Sequence, residues 1–257
     1  MRKIPITLAA AAAVLPLLAA CQSTGTTAAK PSALAAGPSS STTPSATAYD
    51  PKIDPATFTT TITNPYFPLK PGTKAIYDGT KDGVPQHVEV SVLPTTRTIL
   101  GVRCVVVSDV VTSKKALAEK TTDWYAQDAQ GSVWYFGEDS KDYTNGVVTS
   151  THGTWEAGVD NAKPGIIMQA DPRPGDFYRQ EYRPKVAEDI AKIIHLYATL
   201  RLPARTYTEV LVTEDRDPLN PDLIQHKSYA PGIGMIKTER LGNNHHELLQ
   251  LTKTVAG

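Results

Sequence analysis

Cysteine is nearly missing from this 257-residue chain: Cys21 and Cys104 are the only two. If other chemistry takes Cys21, as argued below, no intramolecular disulfide can form, and the fold rests on burial and hydrogen bonding. A basic excess is missing too. Lys and Arg together number 26, as do Asp and Glu. No positive field gathers phosphates, which excludes nucleic acid as a partner and polybasic attachment to headgroups. After the first twenty residues no segment approaches the roughly 20 apolar residues needed to span a bilayer. There is no Gly-x-Ser-x-Gly elbow, no alternation of strand and helix patterns to carry one, and no His-Glu-x-x-His. No internal repeat is evident.

What is present begins at the N-terminus. Arg2 and Lys3 precede an uncharged run from Ile4 to Ala20 dominated by Ala, Leu and Val, the form of a secretory signal. Pro16 and the short run argue against a retained membrane helix. Leu18-Ala19-Ala20-Cys21 matches the lipobox of bacterial lipoprotein precursors. Small residues at 19 and 20 fit a peptidase cleft, and the Cys21 thiol is the nucleophile that takes a diacylglyceryl group. Residues 1–20 are thus expected to be a lipoprotein signal peptide, with a membrane reached through lipid on Cys21. Each buried methylene contributes about 0.8 kcal/mol, so two or more acyl chains anchor stably. Gln22 after the cysteine permits outer-membrane sorting in a two-membrane cell.

Residues 21–49 are expected to be a disordered tether of Ser, Thr, Ala and Pro in which Lys30 is the only charge. Such a composition buries too little apolar surface to offset its ordering entropy. About 27 flexible residues span about 30 Å. Residues 50–257 are expected to form a β-rich extracytoplasmic domain. Val88, Val90 and Val92 alternate with His87, Glu89 and Ser91, the period of a half-buried strand. Further strands are expected at 103–112, 119–127, 133–136, 177–182, 207–213, 226–229, 234–240 and 246–251. Asp128-Ala129-Gln130-Gly131 and Thr144-Asn145-Gly146 supply hairpin turns. Residues 153–176 are expected to be a long loop with a short strand near 165–168. Residues 187–200 fit a helix face or a strand, and the strand is preferred. The expected fold is mainly β: a single domain made of a curved antiparallel sheet or half-open barrel. The concave face is where a ligand is expected. Cys104, within Val102-Arg103-Cys104-Val105-Val106-Val107, is expected to be a small buried hydrophobe.

Several runs carry a resemblance. They are Asp-Trp-Tyr-Ala-Gln-Asp at 123–128, Gly-Ser-Val-Trp-Tyr-Phe-Gly-Glu at 131–138, Trp-Glu-Ala-Gly-Val-Asp at 155–160, Ala-Lys-Pro-Gly-Ile at 162–166 and Gly-Asp-Phe-Tyr-Arg-Gln-Glu-Tyr at 175–182. Asn-Pro-Tyr-Phe-Pro-Leu at 64–69 and Tyr-Ala-Pro-Gly-Ile-Gly at 229–234 flank them. With these, most of residues 58–250 resembles a family of bacterial secreted proteins and lipoproteins of no settled activity. The resemblance implies an extracytoplasmic β-rich domain and brings no catalytic assignment.

Three readings of function follow. In the first, a non-catalytic domain binds a small molecule or an envelope protein, through a surface of Trp134, Trp155, Glu156, Tyr178, Arg179 and Tyr182. Aromatic and Arg side chains suit recognition. In the second, an envelope hydrolase uses clustered carboxylates, Glu138, Glu156, Asp160 and Glu181, with Asp139 nearby, beside Trp134 and Trp155. In the third, a structural or assembly protein docks a sheet face or edge on another envelope component. No cofactor and no metal is expected. His245 and His246 are adjacent and point to opposite faces of a strand. Glu214, Asp215, Asp217, Asn220 and Asp222 offer hard oxygens, but Arg216, Pro218 and Pro221 break an EF-hand pattern, and a solvated turn is expected there. The attachment is testable: Cys21→Ser is expected to move the protein from the membrane to the soluble fraction of lysed cells.

Overall fold

The computed structural model describes residues 49–203, 205–242 and 245–257. The expected signal peptide, Cys21 and nearly all of the expected tether lie outside the described residues. One 3-10 turn, Pro55–Thr57, precedes the strands. The strands of the first half are β1 (Phe58–Thr59), β2 (Lys74–Lys81), β3 (Val84–Ile99), β4 (Val102–Ser113), β5 (Ala116–Asp128), β6 (Val133–Thr144), β7 (Val147–Ser150), β8 (Trp155–Glu156) and β9 (Lys163–Met168). The second half has β10 (Phe177–Arg179), β11 (Glu181–Tyr182), β12 (Ile190–Arg201), β13 (Thr206–Asp217), β14 (Asn220–Ala230), β15 (Gly234–Gly242) and β16 (His245–Val255). The ambiguous segment 187–200 is strand from Ile190 onward, as preferred, and Ala187 makes only an isolated bridge to Arg183. Residues 153–176 carry the loop with two short strands, β8 and β9, where the sequence predicts only one near 165–168.

All pairings are antiparallel, and the sheet runs β10-β12-β13-β14-β15-β16-β2-β3-β4-β5-β6-β9-β11. The two ends of that path, β10 and β11, are consecutive pieces of one segment. Residues 177–179 pair with β12, and residues 181–182 pair with β9. The sheet therefore curls until a single short stretch joins its two edges, a nearly closed barrel rather than an open half. Closure removes the exposed edges that would template aggregation. Bends come from irregular pairing. β12 and β13 slip register between Ile193 and Leu200, and Tyr197 and Glu209 adopt positive φ of 60° and 55° within them, where bulges increase twist.

Facing partners on neighbouring strands share a side of the sheet, so register shows what points inward. Leu251, Tyr77, Val88 and Val111 form one such row. With Val105, Val107, Leu211, Tyr229, Ile236 and Leu249 they build the apolar half of the core. Residues 62–69 cap that end. Phe67 packs at 5.3 Å on Tyr125 and 6.5 Å on Tyr229. The Asn64 amide donates to the carbonyls of Gly131 and Gln169, each at 2.9 Å. Tyr125 and Tyr135 stack at 4.7 Å inside, whereas Trp124 on the other face lies under the Arg97 guanidinium at 4.3 Å. The aromatic hairpin thus sends one set inward and one outward, as its alternation predicts. Cys104 is buried and free, and burial pushes its thiol up to about 12, the behaviour of an inert core residue.

The joining segment lies very close to β9. A Cβ added at Gly165 would stand 2.3 Å from the carbonyl carbon and oxygen of Gln180, so only glycine fits without displacing backbone. Gly165→Ala is expected to cost about 1–3 kcal/mol or more of stability, as overpacking does. Thermal denaturation would show it as a lowered midpoint.

Candidate functional site

The other half of the interior is polar. Asp215, Gln225, Arg240, Glu247 and Lys81 are successive partners across β13, β14, β15, β16 and β2. Thr213, Lys227 and Thr238 form the adjoining row. Across the barrel, Val107, Asp123, Glu138 and Trp155 are partners along β4, β5, β6 and β8. Asp109 faces Thr121, which faces Ser140. The expected solvated turn at 214–222 is therefore mostly strand. Asp215 and Asp217 are buried, and the turn is confined to Pro218 and Leu219. In Glu214-Asp215-Arg216-Asp217 every residue is polar, so alternation leaves no mark on the sequence.

The two walls differ in charge. On one, Lys227 Nζ lies 2.8 Å from Asp215 Oδ2 with both side chains almost wholly buried. Arg240 pairs with Glu247 at 3.5 Å. The other wall is acidic. The Tyr135 hydroxyl is 2.6 Å from Asp123 Oδ1 and 3.0 Å from Glu138 Oε2. A phenol has one proton to give, so satisfying both contacts requires a proton on one carboxyl. The Trp155 indole N–H donates to Glu181 Oε2 at 2.6 Å, and its ring packs edge-on against Tyr135 at 5.3 Å. The charges bearing most on Glu138 are Glu181 and Asp123, and those on Asp109 are Asp123 and Glu119; all are acids. Burial, reinforced by these neighbours, raises Glu138 and Asp109 well above the carboxylate range. Burial lifts Asp123 to about 7 and Glu119 and Glu181 to about 8. Further polar atoms in the interior lack hydrogen-bond partners, among them Asp109 Oδ1, Gln225 Oε1 and Thr238 Oγ1. Buried polar groups in folded proteins are almost always paired, with protein, water or ligand.

The residues singled out from sequence do not converge on one surface. Glu138, Glu181 and Trp155 meet inside, and Tyr178 is buried with its hydroxyl near Asp215. Trp134 is half-buried, donates to Asp128 Oδ2 at 2.8 Å and packs on Phe58. Glu156 faces away from its neighbour Trp155 and pairs with Arg97 at 2.5 Å. Asp160 pairs with Arg183 at 2.7 Å, and Asp139 pairs with Lys141. Arg179 and Tyr182 are taken up by Tyr49. The Arg179 guanidinium lies 5.5 Å from the Tyr49 ring and 4.8 Å from the Tyr182 ring. The carboxylate set is thus divided between inside and outside, and its inner pair has almost no exposure. Among the described residues, Glu138 and Glu181 are buried while Glu156 and Asp160 are paired with Arg97 and Arg183 outside, so the four do not share one surface. Asp109, Asp123 and Tyr135, missed from sequence, complete the inner group. Among the described residues no three His, Cys, Asp or Glu side chains are placed to hold a metal ion.

No protein-family profile matches the chain, and no curated protein matches it. Two solved structures are similar in outline. One, from Bacteroides fragilis, is assigned as an exported protein with a YmcC-like fold. It is 12% identical, with a TM-score of 0.44 over 75% of this chain and 100% of that one. The other, from Parabacteroides distasonis, is assigned as a lipoprotein. It is 15% identical, with a TM-score of 0.40 over 75% of this chain and 99% of that one. Likenesses this distant carry no argument about function.

The raised carboxyls give stability a definite pH dependence. Each binds its proton more tightly folded than unfolded, where it titrates near 4. Between about pH 4 and 8 the folded chain holds more protons, so stability falls as pH rises through that window. Exposed acids held low by cations, such as Asp50 at about 2, act oppositely only below about pH 4. The melting temperature is expected to be higher at pH 5 than at pH 9, and Glu138→Gln should flatten the difference. A midpoint that rises with pH would contradict this.

Proposed function

We propose that this chain is an exported, lipid-anchored binding domain of the cell envelope, non-catalytic, whose ligand is a cationic amine held in the polar half of the barrel. The observation that carries the proposal is the inner acidic wall, where the charged neighbours bearing most on Glu138 and Asp109 are other acids, while Lys227 bears on Glu181. Removing a carboxylate from water costs several kcal/mol unless a proton or a cation compensates. At neutral pH protons do part of this. An ammonium group would replace them and would also meet the faces of Tyr135 and Trp155, which attract cations. Asp123, Glu138 and Glu181 would accept its hydrogen bonds. The anchor rests on the signal and lipobox at residues 1–21, and membership of the family that residues 58–250 resemble is part of the same reading.

Spermidine titrated into the chain tests this. Because the cation competes with protons, affinity is expected to strengthen from pH 6 to pH 8.5. Glu138→Gln should weaken it by roughly 10- to 100-fold, as loss of a charged hydrogen bond worth about 1.5–3 kcal/mol does. Binding that ignores both pH and the substitution would place the amine elsewhere. Calorimetry at the two pH values decides between them.

A further inference from the structure

Glu138 and Glu181 are sealed from solvent, so any ligand needs a way in, and the barrel has one weak seam. Its two edges meet only through residues 177–182. Three residue pairs join that segment to β12, and two, Glu181 with Pro164 and Tyr182 with Lys163, join it to β9. Along the path of the sheet the long strands share longer ladders, with eight pairs joining β2 to β3; only β6 with β9, at three pairs, is as short as the join to β12. Proline has no N–H to give the ladder, which weakens the β9 side further. Glu181, part of the candidate site, sits on this segment.

The first described residues lie across the seam. The Tyr49 hydroxyl donates to the Pro164 carbonyl at 2.8 Å. The Tyr49 ring packs edge-on against Tyr182 at 5.6 Å, and Arg179 lies over both rings. Asp50 pairs with Lys163 at 2.8 Å. Tyr49 and Asp50 thus hold β9 with one set of contacts and the closing segment with another. The geometry points to a latch: Tyr49 and Asp50 staple the barrel's closing seam from outside, at the point where the chain from Cys21 arrives, so that the seam is the door to the inner carboxyls and the tether ends on its bolt. That the door serves a ligand rests on the binding reading above; that the latch holds the seam does not.

Amide hydrogen exchange of the full chain tests the latch without any ligand. Tyr49→Ala and, separately, Asp50→Asn are compared with the unaltered chain, and Tyr49→Phe keeps the ring while removing the hydroxyl. The amides of Lys163, Gly165 and Ile166 and those at 177–182 are expected to exchange at least tenfold faster in Tyr49→Ala, with smaller increases in Asp50→Asn and Tyr49→Phe. Amides of β4 and β5 are expected to be unchanged. Equal exchange at the seam in all four proteins would overturn the proposal. So would a uniform acceleration across the barrel, which would make Tyr49 a general stabiliser. A confirmed latch together with absent spermidine binding would sink the ligand reading alone.

Discussion

The closing of the sheet by residues 177–182 is the constraint on which the interior depends. Before β10 meets β12 and β11 meets β9, the walls carrying Glu138 and Lys227 are two ends of one face of an open, curved sheet, and both can be hydrated. Joining the edges removes that water. Burial then becomes the largest influence on Asp109, Glu119, Asp123, Glu138 and Glu181, and for Asp109 and Glu138 neighbouring acids come second. Closure therefore does two opposed things. It completes the ladders and shelters the apolar half, where Tyr125, Tyr229, Leu211 and Ile236 are fully buried. It also confines several acids where their charge is disfavoured.

The two walls answer that cost differently. The Lys227–Asp215 pair matches charge with charge at 2.8 Å, which compensates desolvation without adding much net stability. On the opposite wall Tyr135 links Asp123 to Glu138, and protons take the place of cations. A core built for stability alone would fill these positions with Val or Leu, as other inward positions do at Val88, Val107 and Val111. Retaining Asp109, Asp123 and Glu138 there sacrifices stability at neutral and higher pH. Sites that bind or react are where such departures from local consistency are expected.

Much of the fold was legible because its rule is local. Val88, Val90 and Val92 alternate with polar residues, and Asn145-Gly146 marks a turn where both residues take positive φ. Alternation fails where both faces are polar. In Glu119-Lys120-Thr121-Thr122-Asp123 the inward set is Glu119, Thr121 and Asp123, and nothing in the letters separates it from the outward set. The meeting of Glu138 with Glu181 was beyond reach for another reason: it depends on a closure between distant strands. Trp155 and Glu156 show the converse. As neighbours on a strand they must point to opposite faces, so one carboxylate of the expected cluster was excluded by geometry already present in the sequence.

The N-terminal segment joins these themes. Residues 62–69 cap the apolar end through Phe67 and Asn64, while Tyr49 and Asp50 bind the seam beside the polar interior. One stretch of about twenty residues thus touches both parts of the barrel that interrupt its regular ladder. Contacts made outside the sheet, by groups partly in water, open at lower free energy than the ladders they cover. In the proposed reading, the motion that admits a ligand to the carboxyls begins with the residues that lead back along the chain toward Cys21. Attachment and access are, on that reading, not separate properties of the chain, because both would act through the same few contacts on β9, Arg179 and Tyr182.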